Sequence, residues 1–142
     1  EIINLARDVL APDGLISICV PNDYNILQDT LRKTAGFEPW WLAPPHHLNY
    51  FGFSSMADLL ERQGFDVIAR TTSFPMEVFL FMGQNYVGND EIGRRCHAKR
   101  KMFDTRLEAA GLSDVRRDLY KGLAELGIGR EVLLIARRRP SS

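Results

Sequence analysis

Apolar residues recur along this chain in two periods, and the switches between them divide it into elements. Ile2, Ile3, Leu5, Ala6, Val9 and Leu10 stand at helical spacing, so residues 1 to 10 predict a helix. Pro12-Asp13-Gly14 then predicts a turn, with proline presetting φ and glycine accepting a positive value. Leu15-Ile16-Ser17-Ile18-Cys19-Val20 is almost unbroken, the pattern of a strand covered on both faces in a parallel sheet. Pro21 ends it, and Asn22 or Asp23 is placed to cap a helix carrying Leu27, Leu31 and Ala35 on one face, with Gly36 as its stop. Residues 37 to 53 lose periodicity and gather aromatics, prolines and histidines, which predicts a long loop lying over something.

Ser55, with Asp58 three residues on, marks the next helix start; Met56, Leu59 and Leu60 form its inner face and Gly64 its end. Residues 65 to 72 predict a strand. The apolar and aromatic run from Pro75 to Gly88 predicts a short helix. Asn89 is placed to cap a long charged helix ending at Gly111, and Ser113 another with Val115, Leu119, Leu123 and Leu126 inward, ending at Gly127. Val132 to Ala136 predicts the last strand, followed by a frayed basic tail from Arg137.

Composition narrows the function classes. With 142 residues, 45% of them hydrophobic, the chain can form one core. Eighteen basic against eighteen acidic side chains leave no global field for nucleic acid or an anionic membrane, so neither is an expected partner. Cys19 and Cys96 make no close motif, which points to reduced thiols in a cytoplasmic protein. No apolar run approaches the ~20 residues of a membrane span.

The stretch His47-Leu48-Asn49-Tyr50-Phe51-Gly52-Phe53-Ser54-Ser55, running into Leu59-Leu60 and Gly64-Phe65-Asp66-Val67, resembles the second half of a class I S-adenosylmethionine-dependent methyltransferase. Leu10-Ala11-Pro12-Asp13-Gly14 is similar to that family's turn before strand 5, with Asp13 in place of a glycine. The resemblance implies an α/β fold: a partial Rossmann-like methyltransferase sheet in which residues 15–20, 65–72 and 131–136 are strands 5, 6 and 7. They stand in the order 5, 7, 6 with strand 7 antiparallel, and a helical insertion occupies about 74–128. Strands 1 to 4, with the glycine-rich cofactor turn, are not among these residues. None of Gly83, Gly88 or Gly93 has the strand-before, helix-after context of such a turn. The chain therefore reads as the C-terminal, acceptor-side part of one domain, with the main S-adenosylmethionine site in an N-terminal half. The edge of strand 15–20 is expected to be covered by more of the same protein or by another copy.

The implied activity is methyl transfer to a small-molecule or carbohydrate-like acceptor, O-methylation preferred. His47 matches the family's histidine and is the candidate base or acceptor-orienting group. Alternatively it fixes the loop through backbone hydrogen bonds. His46, its neighbour, either faces solvent or touches the acceptor. Asn22 and Asp23 follow the strand's C-terminal end, where open α/β sheets bind ligands, and are candidates for acceptor binding unless they merely cap the helix. Trp41 and Tyr50 could wall an acceptor pocket or pack the loop. The basic run Arg94 to Lys101 either meets phosphate or is a solvated helix face. Two other readings stand beside this one: a non-catalytic interaction module derived from the fold, and an RNA-modifying methyltransferase.

Overall fold

In the computed structural model, which describes residues 2–45 and 48–140, nine elements follow in chain order. They are α1 (Ile2–Val9), β1 (Leu15–Pro21), α2 (Ile26–Ala35), α3 (Phe53–Arg62), β2 (Phe65–Thr71), α4 (Glu77–Phe81), α5 (Asp90–Ala109), α6 (Ser113–Glu125) and β3 (Glu131–Arg138). The fold is mixed α/β. Its sheet has the order β1-β3-β2, with β3 antiparallel to both neighbours. Ile18 lies opposite Leu134 and Val67 opposite Ala136, and the β2 register slips between Val67 and Ala69.

Because side chains alternate along a strand, this register collects one set of residues on each face. Val132, Leu134 and Ala136 of β3 are buried on one face, under Met56, Ala57 and Leu60 of α3 and Ala124 of α6. Phe65, the first residue of β2, completes that core without any exposure. Burial of each large side chain there stabilises by about 1.5–3 kcal/mol. Ile3 of α1 and Leu10, just past its end, lean on the core, although no residue of that helix is itself buried.

The opposite face departs from the expectation for β1. Its residues alternate in exposure; Leu15 and Cys19 are exposed, while Ile16, Ile18 and Val20 lean on the core. The apolar run therefore forms a strand covered on one face, the face on which α3 and α6 both lie. The outer edge of β1 pairs with no strand among the described residues.

Several local expectations are also corrected. Asp13, not Gly14, takes the positive φ (59°). Glycine is needed at position 14 for another reason, because a Cβ there would stand 2.8 Å from the Ala11 carbonyl oxygen. Helix α2 is capped by Asn25 rather than Asn22 or Asp23, and α3 begins at Phe53, so Ser55 is its third residue. Ser55 still serves that end, its Oγ accepting from the Gly52 amide at 3.0 Å. Ser113 is the first residue of α6, and its neighbour Leu112 takes the cap position without a side-chain bond.

The inner face of α6 carries Tyr120 and Ala124, while Val115, Leu119 and Leu126 are exposed. The Tyr120 hydroxyl reaches Asp104 on α5, and the small Ala124 lets the helix sit close to the sheet. Arg137 and Arg138 belong to β3 instead of a frayed tail, and Arg139 pairs with Asp66 at 2.7 Å. No helix among the described residues is long and apolar enough to cross a membrane.

Candidate functional site

The turn after β1, Asn22 to Asn25, brings four successive side chains to the C-terminal end of the strand. Asn22 is 2% exposed, and its Nδ2 donates to the carbonyls of Gly127 (2.9 Å) and Gly129 (3.0 Å), tying the approach to β3 onto the end of β1. Gly129 adopts φ 137°, and a Cβ there would overlap the Thr72 side chain, so this clamp requires glycine. Tyr24 stands at φ 56°, a left-handed conformation that costs a bulky residue about 1–3 kcal/mol. That strain turns the chain sharply enough for Asn25 to cap α2, its Oδ1 accepting from Leu27 (3.0 Å) and Gln28 (3.1 Å) amides.

Behind the turn lies a buried carboxylate. Glu77, the first residue of α4, is 4% exposed. One oxygen, Oε1, accepts from Gln28 Nε2 at 3.0 Å and from Asn25 Nδ2 at 3.4 Å. The other, Oε2, is buried without a hydrogen-bond partner among the described residues, as are Gln28 Oε1 and Trp41 Nε1. Native structures leave few such atoms unpaired, because each buried orphan costs about 1–3 kcal/mol. Burial holds the Glu77 carboxyl above the usual carboxylate range; its own backbone amide, the Gln28 and Asn25 hydrogen bonds and the Arg130 charge offset this only in part. Burial, and then the charge of Glu77, likewise push the Tyr86 phenol up.

These residues border one cavity of about 320 Å³, lined by Asn22, Asp23, Gln28, Trp41, Glu77 and Tyr86. Arg130 and His97 reach the same space from β3's approach and from α5. It has two tryptophans on its wall, Trp40 and Trp41, whose rings meet edge to face at 4.9 Å. A space of this size, with aromatic walls and a few fixed polar groups, matches the chemistry of a small-ligand site. The polar residues on its wall, Asn22, Asp23, Gln28 and Glu77, suit a ligand bearing hydroxyl groups.

Of the residues singled out from sequence, Asn22, Asp23 and Trp41 meet at this cavity. Tyr50 does not line it. Its hydroxyl accepts from the Ala43 amide at 3.2 Å and its ring packs 6.1 Å from Tyr24, so it holds the loop that carries Trp41. His46 and His47 lie outside the described residues. Sequence reasoning missed Glu77, Gln28, Tyr86 and Arg130. A signal for Glu77 was available: it is the one carboxylate between Asp66 and Asp90, set in the apolar run Phe74 to Met82. Isolated acids in such runs are buried only with partners. No group of three or more His, Cys, Asp or Glu side chains among the described residues is placed to hold a metal ion.

A scan against protein-family models and a search of curated proteins both return no match for this chain.

Proposed function

We propose that this chain supplies the acceptor side of an S-adenosylmethionine-dependent methyltransferase acting on a small hydroxylated, carbohydrate-like acceptor. The observation that carries the reading is the buried Glu77 carboxylate beside a cavity at the C-terminal end of β1, with one oxygen held by Gln28 and Asn25 and the other unpaired. The sheet order supports it, because the resemblance implies an antiparallel last strand between the other two. In this reading the chain's own part is acceptor binding and proton removal.

In that role Trp41 and Tyr86 flank the acceptor, and Glu77, held by Gln28 and Asn25, takes the proton of the reacting hydroxyl. Burial suits Glu77 to this, since a carboxylate with a raised pKa is a stronger base than a solvated one. His47, outside the described residues, remains the alternative base. Two variants separate them. Glu77→Gln lowers turnover about 100-fold or more if Glu77 is the base, a typical general-base contribution. The same loss in His47→Ala, with Glu77→Gln near wild type, transfers the role to His47. The reading as a whole is tested by calorimetric titration of S-adenosylmethionine into this chain and into the longest reading frame that contains it. Binding by the longer protein alone supports it; binding by neither removes it.

One observation favours a second reading, an interaction module. The outer edge of β1 is unpaired among the described residues and its Leu15 side chain is 53% exposed, so a second copy or a partner strand could add there. Sedimentation of the chain as a concentration-independent monomer would count against self-association through that edge.

A further inference from the structure

A second cavity, about 560 Å³, runs along α5 and shares Tyr86, Gly93 and His97 with the polar one, so the two adjoin. Asp90, Arg94, His97 and Lys101 line this second part. They stand at i, i+4, i+7 and i+11, one face of the helix. The cations dominate there. Arg94 and Lys101 have no ion-pair partner within 4.0 Å among the described residues, whereas Arg95, on another face, is paired with Glu91. Arg100 Nη2 lies 3.3 Å from His97 Nδ1, and Arg130 approaches from the polar cavity, itself 3.4 Å from Glu131. Asp90 is the only carboxylate lining the α5 part among the described residues. Burial and the neighbouring Arg100, Lys101 and Arg130 charges hold His97 below its ordinary pKa, consistent with a positive field at that point.

Gly93 marks the junction. It is inside α5, where glycine is a poor helix former, and nothing lies within 4 Å of the place its Cβ would occupy. Packing therefore does not demand glycine, and a larger side chain there would project where the two cavities adjoin.

We infer that the α5 cavity is an anion subsite for a phosphate group carried by the acceptor, held by Arg94, His97 and Lys101, while the sugar hydroxyls occupy the Glu77 cavity. Phosphate is the fitting anion because it accepts several charge-assisted hydrogen bonds at once, from guanidinium, ammonium and imidazole donors. The inference rests on the acceptor-site reading only for what the phosphate is attached to; the anion subsite stands on its own geometry.

The test is calorimetric titration of the 142-residue chain, without any methyl donor, using glucose 1-phosphate, inorganic phosphate and glucose. Glucose 1-phosphate is expected to bind at least tenfold tighter than inorganic phosphate, and glucose weakest. Binding of glucose 1-phosphate raises the pKa of His97, read from its ring resonances. The double variant Arg94→Gln/Lys101→Gln, at exposed positions and checked for native circular dichroism, weakens it tenfold or more. Gly93→Leu removes the advantage of glucose 1-phosphate over inorganic phosphate by closing the junction. Equal binding by the double variant, or an unmoved His97 pKa, overturns the subsite. A single-stranded RNA ten-mer that binds more tightly than glucose 1-phosphate overturns it in favour of nucleic acid. Phosphate binding without methyl transfer in the longer protein would leave the subsite intact and remove the methyltransferase reading, so the two failures are distinguishable.

Discussion

Two regions of this protein are equally dry and chemically opposite. Beneath the sheet, Leu60, Phe65, Val132, Leu134 and Ala136 have no exposure and present no side-chain polar atom. At the end of β1, Asn22, Asn25, Gln28 and Glu77 are nearly as buried, and every one of them is polar. In the first region each side chain contributes through area and close packing, so any occupant of the right size would serve. In the second, desolvating the polar groups opposes folding, and only hydrogen bonds in fixed directions offset it. Unpaired atoms in such a cluster cost stability without return to the folded chain alone. The sheet core is thus held by apolar packing and the cluster at its edge by directed hydrogen bonds, which is why the proposed ligand site lies at the cluster.

That contrast can be broken by substitution. Leu134→Ala, in the centre of the sheet, is expected to destabilise by about 3–5 kcal/mol, measured by urea unfolding; a loss below about 1 kcal/mol would mean that the sheet face is not the main core. Gly129→Ala, which sets a Cβ against Thr72 in a left-handed backbone, should cost about 3 kcal/mol by the same measurement. Asn25→Ala removes the α2 cap and one Glu77 contact, and about 1–2 kcal/mol is expected.

Glu77→Gln is expected to fall on the other side of the comparison, changing stability at neutral pH by less than about 1 kcal/mol in either direction, because it removes a buried charge as well as its hydrogen bonds. The sign of its pH dependence is informative. A carboxyl whose folded pKa is raised contributes stability that is full below the ordinary carboxylate pKa and lost as pH rises through the raised value. Wild type should therefore lose stability over that window relative to Glu77→Gln. Parallel pH profiles would show that Glu77 is solvated in the folded protein. The smallest expected effect is Gly93→Ala, a gain of up to about 1 kcal/mol from helix propensity, since nothing packs at that position.

Much of the architecture is legible in the residues, element by element. The apolar period locates Leu15 to Val20, Phe65 to Thr71 and the last strand because strands bury alternate or continuous apolar surface wherever they fall in the chain. Gly36 and Gly64 end their helices as expected, both at positive φ. Asn89 caps α5 through a bond to the Ile92 amide. The misreadings share a cause. Val115, Leu119 and Leu126 have the spacing of a buried face, yet α6 turns Tyr120 and Ala124 inward, since Asp104 on a neighbouring helix holds the Tyr120 hydroxyl. Asn22 looks like a cap from its place after a strand, but its side chain is drawn to Gly127 and Gly129, more than a hundred positions away in the chain. Local propensity cannot weigh a partner that only the fold brings near.

The helices, the strands, the aromatic loop that carries Trp41 and the position of Asn22 and Asp23 after a strand are legible in the residues alone, because these follow from backbone conformation and from periodicity over a few residues. Which face of β1 is covered, which face of α6 is buried, and the convergence of Gln28, Glu77, Tyr86 and Arg130 with Asn22, Asp23 and Trp41 on one cavity come from long-range packing. Those outcomes depend on contacts between residues about 50 or 100 positions apart, where the direction of a hydrogen bond and the loss of water decide the arrangement and no local pattern records it.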